Sequence, residues 1–285
     1  MSPLHPTSDR RAALARRRFE RLAALPDPDI DLAEAALWIA AEGRPGLDVA
    51  QALRGLDTLA ERARPTVEAQ PEETGRIEAL NRMLFEEEGF RGNRDGYYDV
   101  ENRDLGLVLE RRTGIPITLC IVYVEIAQRL GLHATGVGFP GHFLAKVVGE
   151  REIVVDAFEG RTLGEAECQE RLQAAMGPDA RFDRSWLRAA THKETLARIL
   201  SNLKHIHIGS GDHARALACV DRILLLAPDA PLELRDRGLL YAALEAYRAA
   251  DIDLTRFLSL APKHPSASAV EEKLEQIRRR VRSLH

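Results

Sequence analysis

The segment from Arg112 to Phe158 constrains the fold most, because it joins one helix directly to several strands. Pro116 fixes a helical φ and lacks the N–H that a first helical turn leaves unbonded. Thr118 can supply a capping oxygen, and Gly131 suits a left-handed C-terminal cap. We therefore predict a helix that covers Leu119–Leu130 and is followed by strands, which excludes an all-helical chain.

Cys120 falls in the first turn of this predicted helix or just before it. The unbonded N–H groups and the helix dipole favour an anion there, so a thiolate would be stabilised. Most unpaired cysteines, however, are small apolar core residues, and the surrounding LCIVYV is apolar. Both interpretations of Cys120 stay open at this point.

Three short segments downstream alternate or are rich in β-branched residues, as strands are. They are Ala134–Val137, His142–Val148 and Glu152–Asp156. A hairpin loop centred on Gly149 places His142 opposite Asp156, so that the carboxylate can orient the imidazole. A shift by one residue would turn the two side chains to opposite faces. A cysteine that faces such a pair has the arrangement of a thiol nucleophile with its base and orienting acid.

The C-terminal part of the chain repeats. ARALACVDRILLLAPDAP and RAADIDLTRFLSLAPKHP align with Pro228 and Pro262 34 positions apart, which is the tetratricopeptide period. We predict helices near 193–208, 212–226, 231–244, 247–260 and 266–282. So short an array is either a groove for a peptide or protein partner or a structural cap that covers apolar surface.

The N-terminal part reads as a helical layer, with apolar residues at helical spacing up to about residue 87. The arginines of the first helix are most simply a solvated basic face rather than a nucleic-acid site. Gly89–Asp104 is a loop rich in Gly, Asn, Asp and Tyr, which borders a site or is a packed connection. Asn93, Tyr97 and Tyr98 are our substrate-side candidates in it.

Residues Gly136–Gly141 match the dinucleotide pattern G-x-G-x-x-G, but a strand follows instead of the required helix. We therefore predict no nucleotide site and expect glycines such as Gly141 to let the backbone approach closely beside His142. Cys120, His133, His142, Asp156 and Cys168 offer no zinc-ligand motif. We expect no metal and no other cofactor.

Composition restricts the classes of function. The 285 residues carry a net charge of −4, which points to neither nucleic acid nor an anionic membrane as a partner. The 45% hydrophobic content supports a packed core, and three widely spaced cysteines argue against a disulfide framework. There is no signal-peptide pattern and no apolar run of about 18 residues. We expect a cytoplasmic protein.

Several longer stretches resemble the bacterial SirB-type transglutaminase-like family. They are LNRMLFEEEGFRGNRDGYYDVENRDLGLVLERRTGIPITLCIVYVEIAQRLGL, GVGFPGHFLAKV and VVDAFEG, with LAEAALWIAAEGRPGLDVAQALRGLDTLAERA similar to the helices before the family's core. The resemblance implies a transglutaminase-like, papain-like core joined to C-terminal tetratricopeptide-like helices. It also implies that Cys120, His142 and Asp156 stand at the positions of a Cys–His–Asp triad.

The expected fold is α+β and predominantly helical, with a small antiparallel sheet. We expect an N-terminal helical region (1–88), a transglutaminase-like core (89–188) and a tetratricopeptide-like region (189–285). One functional hypothesis is a protein-binding or regulatory factor that uses the C-terminal helices and retains a latent triad. The other is a cysteine-dependent acyl-transfer enzyme, a peptidase, amidase or transglutaminase, with Cys120 as nucleophile. The triad favours the second, and relatives that lack the cysteine favour the first.

Overall fold

Aspartates set the starts of several helices. The carboxylates of Asp31, Asp48 and Asp104 accept the N–H groups of residues three positions ahead, at 2.8, 2.9 and 2.9 Å. Each bond satisfies one of the donors that a helix leaves free at its N-terminus.

The structure is a computed structural model that describes the backbone of residues 6–283 and the side chains of residues 9–282.

The chain divides into two compact units, one ending at Thr195 and one beginning at Leu196. The helices up to that boundary are α1 (Pro6–Ala23), α2 (Leu32–Gly43), α3 (Val49–Glu68), α4 (Glu73–Asn81), α5 (Leu105–Arg111), α6 (Pro116–Arg129) and α7 (Glu165–Met176). The strands are β1 (Arg91–Gly92), β2 (Thr113–Gly114), β3 (Ala134–Val137), β4 (Leu144–Val148), β5 (Glu152–Asp156) and β6 (Arg161–Leu163). A π-helical turn, Arg82–Glu87, continues α4.

Strands β3 to β6 form one antiparallel sheet in chain order, and β1 pairs with β2 in a separate parallel pair. The outer edge of β3 is covered, because Val137 bridges to Ala189 and Gly136 O accepts the N–H of Ala190. One face of the sheet, which includes Leu144 and Val154, packs against α7. The other face packs against α6. The sheet is therefore the middle layer between two helices.

Helix α6 is the central element of the first unit, since every residue from Pro116 to Ala127 is buried. A helix that is apolar on all sides belongs inside a domain. Its one buried carboxylate, Glu125, accepts the N–H of Ala33 in the first turn of α2 at 3.2 Å and also pairs with Arg129 at 2.5 Å. Burial raises the pKa of Glu125, and the bonds from Arg129 and Ala33 oppose that rise. The side chain thus ties α2 to α6.

A second carboxylate, that of Asp27, forms hydrogen bonds with residues that are distant in the sequence. Asp27 accepts the N–H groups of His192 and Lys193 at 3.1 and 2.8 Å. These two residues begin α8 (His192–Gly209), so Asp27 caps a helix whose start lies 165 residues further on.

The predicted register of the β4–β5 hairpin is wrong. Relative to the prediction, the pairing is displaced by one residue along each strand. Ala145 pairs with Val155, which places Leu144 rather than His142 opposite Asp156. The loop is centred on Glu150, whose N–H donates to the Glu73 carboxylate of α4 at 3.0 Å. A tertiary contact therefore holds the loop one residue beyond the position that we predicted. Because both strands shift together, side chains keep their faces.

The second unit contains α9 (His213–Leu226), α10 (Pro231–Ala243), α11 (Tyr247–Leu260) and α12 (Ala267–Ser283) after α8. Apolar side chains from α9 to α12, among them Leu234, Leu254, Phe257 and Leu274, form its core. Gly238 of α10 allows α11 to approach closely, since a Cβ there would lie 2.7 Å from Leu254. All five helices predicted from the repeat are present, and each begins and ends within one residue of its predicted bounds.

Lys204 of α8 is an unusual feature of this unit, because its side chain is only 3% exposed. Its ammonium lies 2.8 Å from Glu233 and 2.7 Å from Asp236, both on α10. Burial alone would lower the pKa of Lys204, but the bonds with the two carboxylates outweigh it and raise the pKa.

The predicted class, a mainly helical α+β chain with a small antiparallel sheet, is confirmed. Strands β3 and β5 have their predicted bounds, whereas β4 begins at Leu144 rather than at His142. Helix α7 and strand β6 were not predicted. Within residues 6–283, no helix is long and apolar enough to span a membrane.

Candidate functional site

The first turn of α6 determines where Cys120 lies. Pro116 is the first helical residue, and the N–H of Ile115 donates to Thr118 Oγ1 at 3.2 Å, so Thr118 does take part in closing the helix start. Cys120 is consequently the fifth helical residue, not in the first turn as predicted. The prediction failed because the helix begins at Pro116 instead of near Leu119. The backbone N–H of a fifth residue bonds within the helix and is not available to an anion.

The Cys120 side chain faces the sheet. Its Sγ donates to the carbonyl oxygen of Leu144 in β4 at 3.2 Å and lies 3.8 Å from where a Cβ on Gly136 of β3 would stand. The residue is 1% exposed. Burial, and secondarily the negative charge of Asp156, raise the pKa of the Cys120 thiol far above its ordinary value. The group is therefore a neutral thiol at pH 7, with its proton directed to Leu144.

His142 is positioned by a tight turn rather than by a strand. The N–H of His142 donates to Phe139 O at 3.0 Å, and Gly141 has φ +68°. Proline at the second position and a glycine with positive φ at the third are typical of a type II turn. The turn brings His142 Nε2 to 3.0 Å from Asp156 Oδ1. The predicted contact between His142 and Asp156 is present, although the predicted register is not.

Asp156 is the most heavily bonded group of the site, and it is completely buried. Besides His142, its Oδ1 accepts the N–H groups of Phe158 at 3.0 Å and Glu159 at 3.1 Å. Its Oδ2 forms an ion pair with Arg171 of α7. Burial alone would raise the pKa of Asp156, but the hydrogen bond with His142 and the charges of His142 and Arg171 outweigh it. The pKa of Asp156 is therefore lowered, and the group is a carboxylate.

Arg171 is the site residue that sequence reasoning missed. It lies on α7, which we did not predict, and α7 packs on the face of the sheet opposite to α6. The arginine in QERLQ follows no recognisable motif. Only a prediction of α7 and of its packing against β5 could have identified it.

The predicted loop Gly89–Asp104 does border the site. Tyr97 contacts Phe158 edge to face at 6.2 Å between ring centroids, and Phe158 contacts His142 in the same way at 6.0 Å. Tyr98 contacts Tyr97 at 5.4 Å and is 79% exposed. The loop thus reaches His142 through an aromatic chain that ends in an exposed tyrosine.

Asn93 is a structural residue of that loop rather than a group aimed at His142. Its side-chain oxygen accepts the N–H of Gly96 at 2.9 Å, and its Nδ2 donates to Asn102 at 3.0 Å. Gly141 also has a structural role, because a Cβ there would stand 3.0 Å from Ala175 of α7. Close approach of the backbone beside His142 was predicted, and the neighbour is α7.

Chemically, the arrangement consists of a His–Asp pair held by an arginine and a neutral thiol that is bonded to a carbonyl. The pair can hold or transfer a proton at the imidazole. In the described part of the chain, no three His, Cys, Asp or Glu side chains are grouped so that they could hold a metal ion.

Comparison with known proteins follows the same division of the chain. The family model of the transglutaminase-like superfamily matches residues 50–201, and a tetratricopeptide repeat model matches residues 203–275. No solved structure matches the chain.

Among curated proteins, the chain is 39% identical over 265 residues to a UPF0162 protein of Xylella fastidiosa. The aligned region covers 90% of this chain and 93% of the relative. It is 30% identical over 258 residues to a UPF0162 protein of Vibrio cholerae, covering 89% and 96%. It is 29% identical over 211 residues to the protein SirB1 of Salmonella typhimurium, covering 73% and 78%. With a family model over more than half of its length and these relatives along most of it, the chain belongs to the SirB-type group of the transglutaminase-like superfamily.

Proposed function

We propose that this protein is a protein-binding or regulatory factor of the cytoplasm, in which the tetratricopeptide-like helices (189–285) hold a peptide segment of a partner. In this proposal the helical region (1–88) and the core (89–188) form a scaffold, and Cys120, His142 and Asp156 are a latent triad. The observation that carries it is the state of Cys120, which is buried, neutral and hydrogen-bonded to a backbone carbonyl. Nucleophilic catalysis needs a thiolate or a thiol that its base can reach.

Helix α10 supports the binding part of the proposal. Glu233 and Asp236 pair with Lys204 of α8, and Arg237 lies 2.6 Å from Asp253 of α11. One side of α10 therefore contacts α8, and another contacts α11. Leu232 and Leu239, two turns apart on one line, remain 44% and 38% exposed.

Arg235 lies between those two leucines on the helix surface. Its guanidinium pairs with Asp236 at 2.7 Å and also reaches Ser266 at 3.4 Å. An apolar stripe interrupted by one arginine suits a peptide with two apolar side chains and, between them, a hydrogen-bond acceptor that shares the guanidinium with Asp236. This is the surface to which we assign the partner.

Alkylation of Cys120 tests the state of the thiol. In a Cys168→Ala, Cys219→Ala background, iodoacetamide should not modify Cys120 in the folded protein at pH 7, and unfolding in urea should restore modification. Mass spectrometry would follow the adduct. Fast reaction well below pH 8.5 that His142→Ala abolishes would contradict a latent site, because it would reveal an activated thiolate.

Photo-crosslinking tests the binding surface. A photoreactive phenylalanine at position 239, introduced in the bacterium that produces the protein, should give a discrete adduct with a partner. Leu232→Asp should remove that adduct, since it places a charge in the apolar stripe. The matched control is the same probe at Ile252 of α11, which is 69% exposed. Equal adducts from both positions would contradict a specific surface.

The second candidate is a cysteine-dependent acyl-transfer enzyme, and the His142–Asp156 bond favours it. Cys120 Sγ would attack a carbonyl carbon, and His142 would accept the thiol proton and return it to the leaving group. Tyr97 and Tyr98 would border the substrate in that case, while Asn93 would hold their loop and Gly141 the turn before His142. The candidate requires the thiol to leave Leu144 O and turn toward the imidazole, together with movement of the loop Gly89–Asp104, whose Tyr97 packs on Phe158 beside His142.

A further inference from the structure

A groove lies between α1, α2 and the start of α3, far along the chain from the residues of the candidate site. Its cavity volume is about 540 Å³. The floor is mainly apolar, and its main side chains are Leu14, Trp38, Val49 and Leu53. Leu14 is 44% exposed, although it stands on the side of α1 that faces the groove. An exposed apolar side chain beside an indole is typical of a binding surface, because a partner that covers it removes apolar area from water.

Two arginines stand at the rim of the groove. Arg18 lies over the Trp38 ring at 6.0 Å, and Arg11 donates to the carbonyl of Pro45 at 3.4 Å. Among the described side chains, neither guanidinium is paired with a carboxylate. By contrast, the nearby Arg16 does have such a partner, Glu42, at 2.7 Å.

The two carboxylates that line the groove are already engaged. Glu34 accepts the indole N–H of Trp38 at 2.9 Å. Asp48 accepts the N–H of Gln51 at 2.9 Å and so caps α3. Both carboxylates keep their negative charge, because the N–H groups that they accept are neutral, but among the described side chains neither forms an ion pair with Arg11 or Arg18.

The groove also lies within a wider basic surface. Arg10, Arg17 and Arg21 of α1 are exposed beside the two rim arginines, while the described part of the helix contains only Asp9 and Glu20 as acids. The whole chain carries a net charge of −4, so this positive surface is local. A local field of this kind attracts acidic partners and orients them.

We propose that this groove binds an acidic amphipathic peptide segment of a partner protein. Apolar side chains of the segment cover Leu14 and Trp38, and its carboxylates pair with Arg11 and Arg18. The apolar floor favours a peptide over nucleic acid, whose phosphates would meet only the rim. This site is separate from α10 and does not depend on the function proposed above.

Trp38 offers a direct measurement, because the chain has only two tryptophans. In a Trp186→Phe background, emission comes from Trp38 alone. The probe is a synthetic peptide in which leucine and phenylalanine alternate with glutamates. It should shift the emission to shorter wavelength with a Kd near 10 μM, which added salt raises. The control peptides replace glutamate by lysine or the apolar residues by serine, and neither should bind.

Three variants locate the binding. Arg18→Gln and Leu14→Asp should each raise the Kd about tenfold, since each removes one half of the recognition. Arg17→Gln is the matched control, because Arg17 is on the same helix but does not line the groove. Circular dichroism checks that each variant folds.

The proposal is overturned if the acidic peptide leaves the emission unchanged up to about 1 mM, a concentration at which even weak peptide complexes form. It is also overturned if Arg17→Gln weakens binding as much as Arg18→Gln. A single-stranded oligonucleotide that binds more tightly than the peptide, with the same dependence on Arg18, would assign the groove to nucleic acid instead.

Discussion

At the scale of single residues, the Asp156 carboxylate is the group on which the candidate site depends. A buried carboxylate is costly unless hydrogen bonds and charges compensate for it, and Asp156 has four such partners. Arg171 is the partner that carries a permanent charge. Burial alone would raise the pKa of Asp156; the hydrogen bond and charge of His142 lower it most and the charge of Arg171 adds to them, so the carboxylate that positions the imidazole is ionised.

Arg171→Gln should destabilise the protein at pH 7 by about 2 kcal/mol, because it leaves a buried charge with one partner fewer. The lowered pKa of Asp156 stabilises the fold above the unfolded-state value, about 3.9, and that contribution is lost as pH falls through the folded-state pKa. Loss of Arg171 raises the folded-state pKa, so acid unfolding should begin at a higher pH.

Urea denaturation at several pH values measures both effects. Arg184→Gln is the matched control, since the carboxylates that Arg184 pairs with among the described side chains are the partly exposed Glu152 and the exposed Glu165. It should change stability by less than about 0.5 kcal/mol. Equal effects of the two substitutions would refute the role given to Arg171.

At the scale of elements, the turn from Phe139 to His142 decides where the imidazole points. Its geometry needs a residue with positive φ at position 141. A glycine adopts that conformation without cost, whereas a side chain is strained there. The sequence GFPGH therefore encodes the position of His142 more directly than the strand that follows it.

Gly141→Ala should cost about 1–2 kcal/mol, because its Cβ is strained at φ +68° and meets Ala175 at 3.0 Å. Chemical denaturation measures the loss, and ¹⁵N NMR of the His142 ring should report a weakened bond to Asp156. Gly138→Ala is the control, since a Cβ at Gly138 meets nothing within 4 Å. A Gly138→Ala variant that is equally destabilised would argue against the turn.

Local chemistry allowed much of this architecture to be predicted. Gly131, with φ +78°, follows the end of α6 as the left-handed cap that we predicted, and Pro228 with Pro262 gave the repeat and its helices. The registers that depend on distant residues could not be predicted in this way. The β4–β5 loop is held by Glu73, which lies 77 residues before its partner Glu150.

The site was predictable to the same extent. His142 and Asp156 meet as predicted because the error in register preserved the faces of both strands. The position of Cys120 depended on where α6 begins, and a helix start is uncertain by a few residues when read from sequence. The bond from Sγ to Leu144 O depends on how α6 packs against β4, which no local pattern reports.

At the scale of the whole molecule, the apolar core of each unit must be separated from water by a polar surface. Helix α12 contributes to that surface in the second unit. Its inner face buries Val270, Leu274 and Ile277, and its other face carries exposed polar residues such as Glu271 and Glu275. An amphipathic helix of this kind covers the apolar side of the helices beneath it and presents polar residues on its other face.

Removal of residues 267–285 should unfold the second unit, because three buried side chains at about 2 kcal/mol each are comparable to the stability of a small domain. Limited proteolysis should then cleave within α9–α11. Removal of residues 279–285 is the control, since it leaves Ile277 and the rest of the core in place. Resistance of the larger truncation to protease would contradict a capping role.

The bonds from Asp27 to the start of α8 have a consequence for how the protein is made. Their partners are 165 and 166 residues later in the chain. At a synthesis rate of about 5–20 residues per second, Asp27 leaves the ribosome roughly 8–30 s before His192 and Lys193 do. During that interval the N-terminal helices must persist without their final partner. Completion of the first unit is therefore a late event in translation, and nascent chains that stop before residue 192 should remain substrates for chaperones.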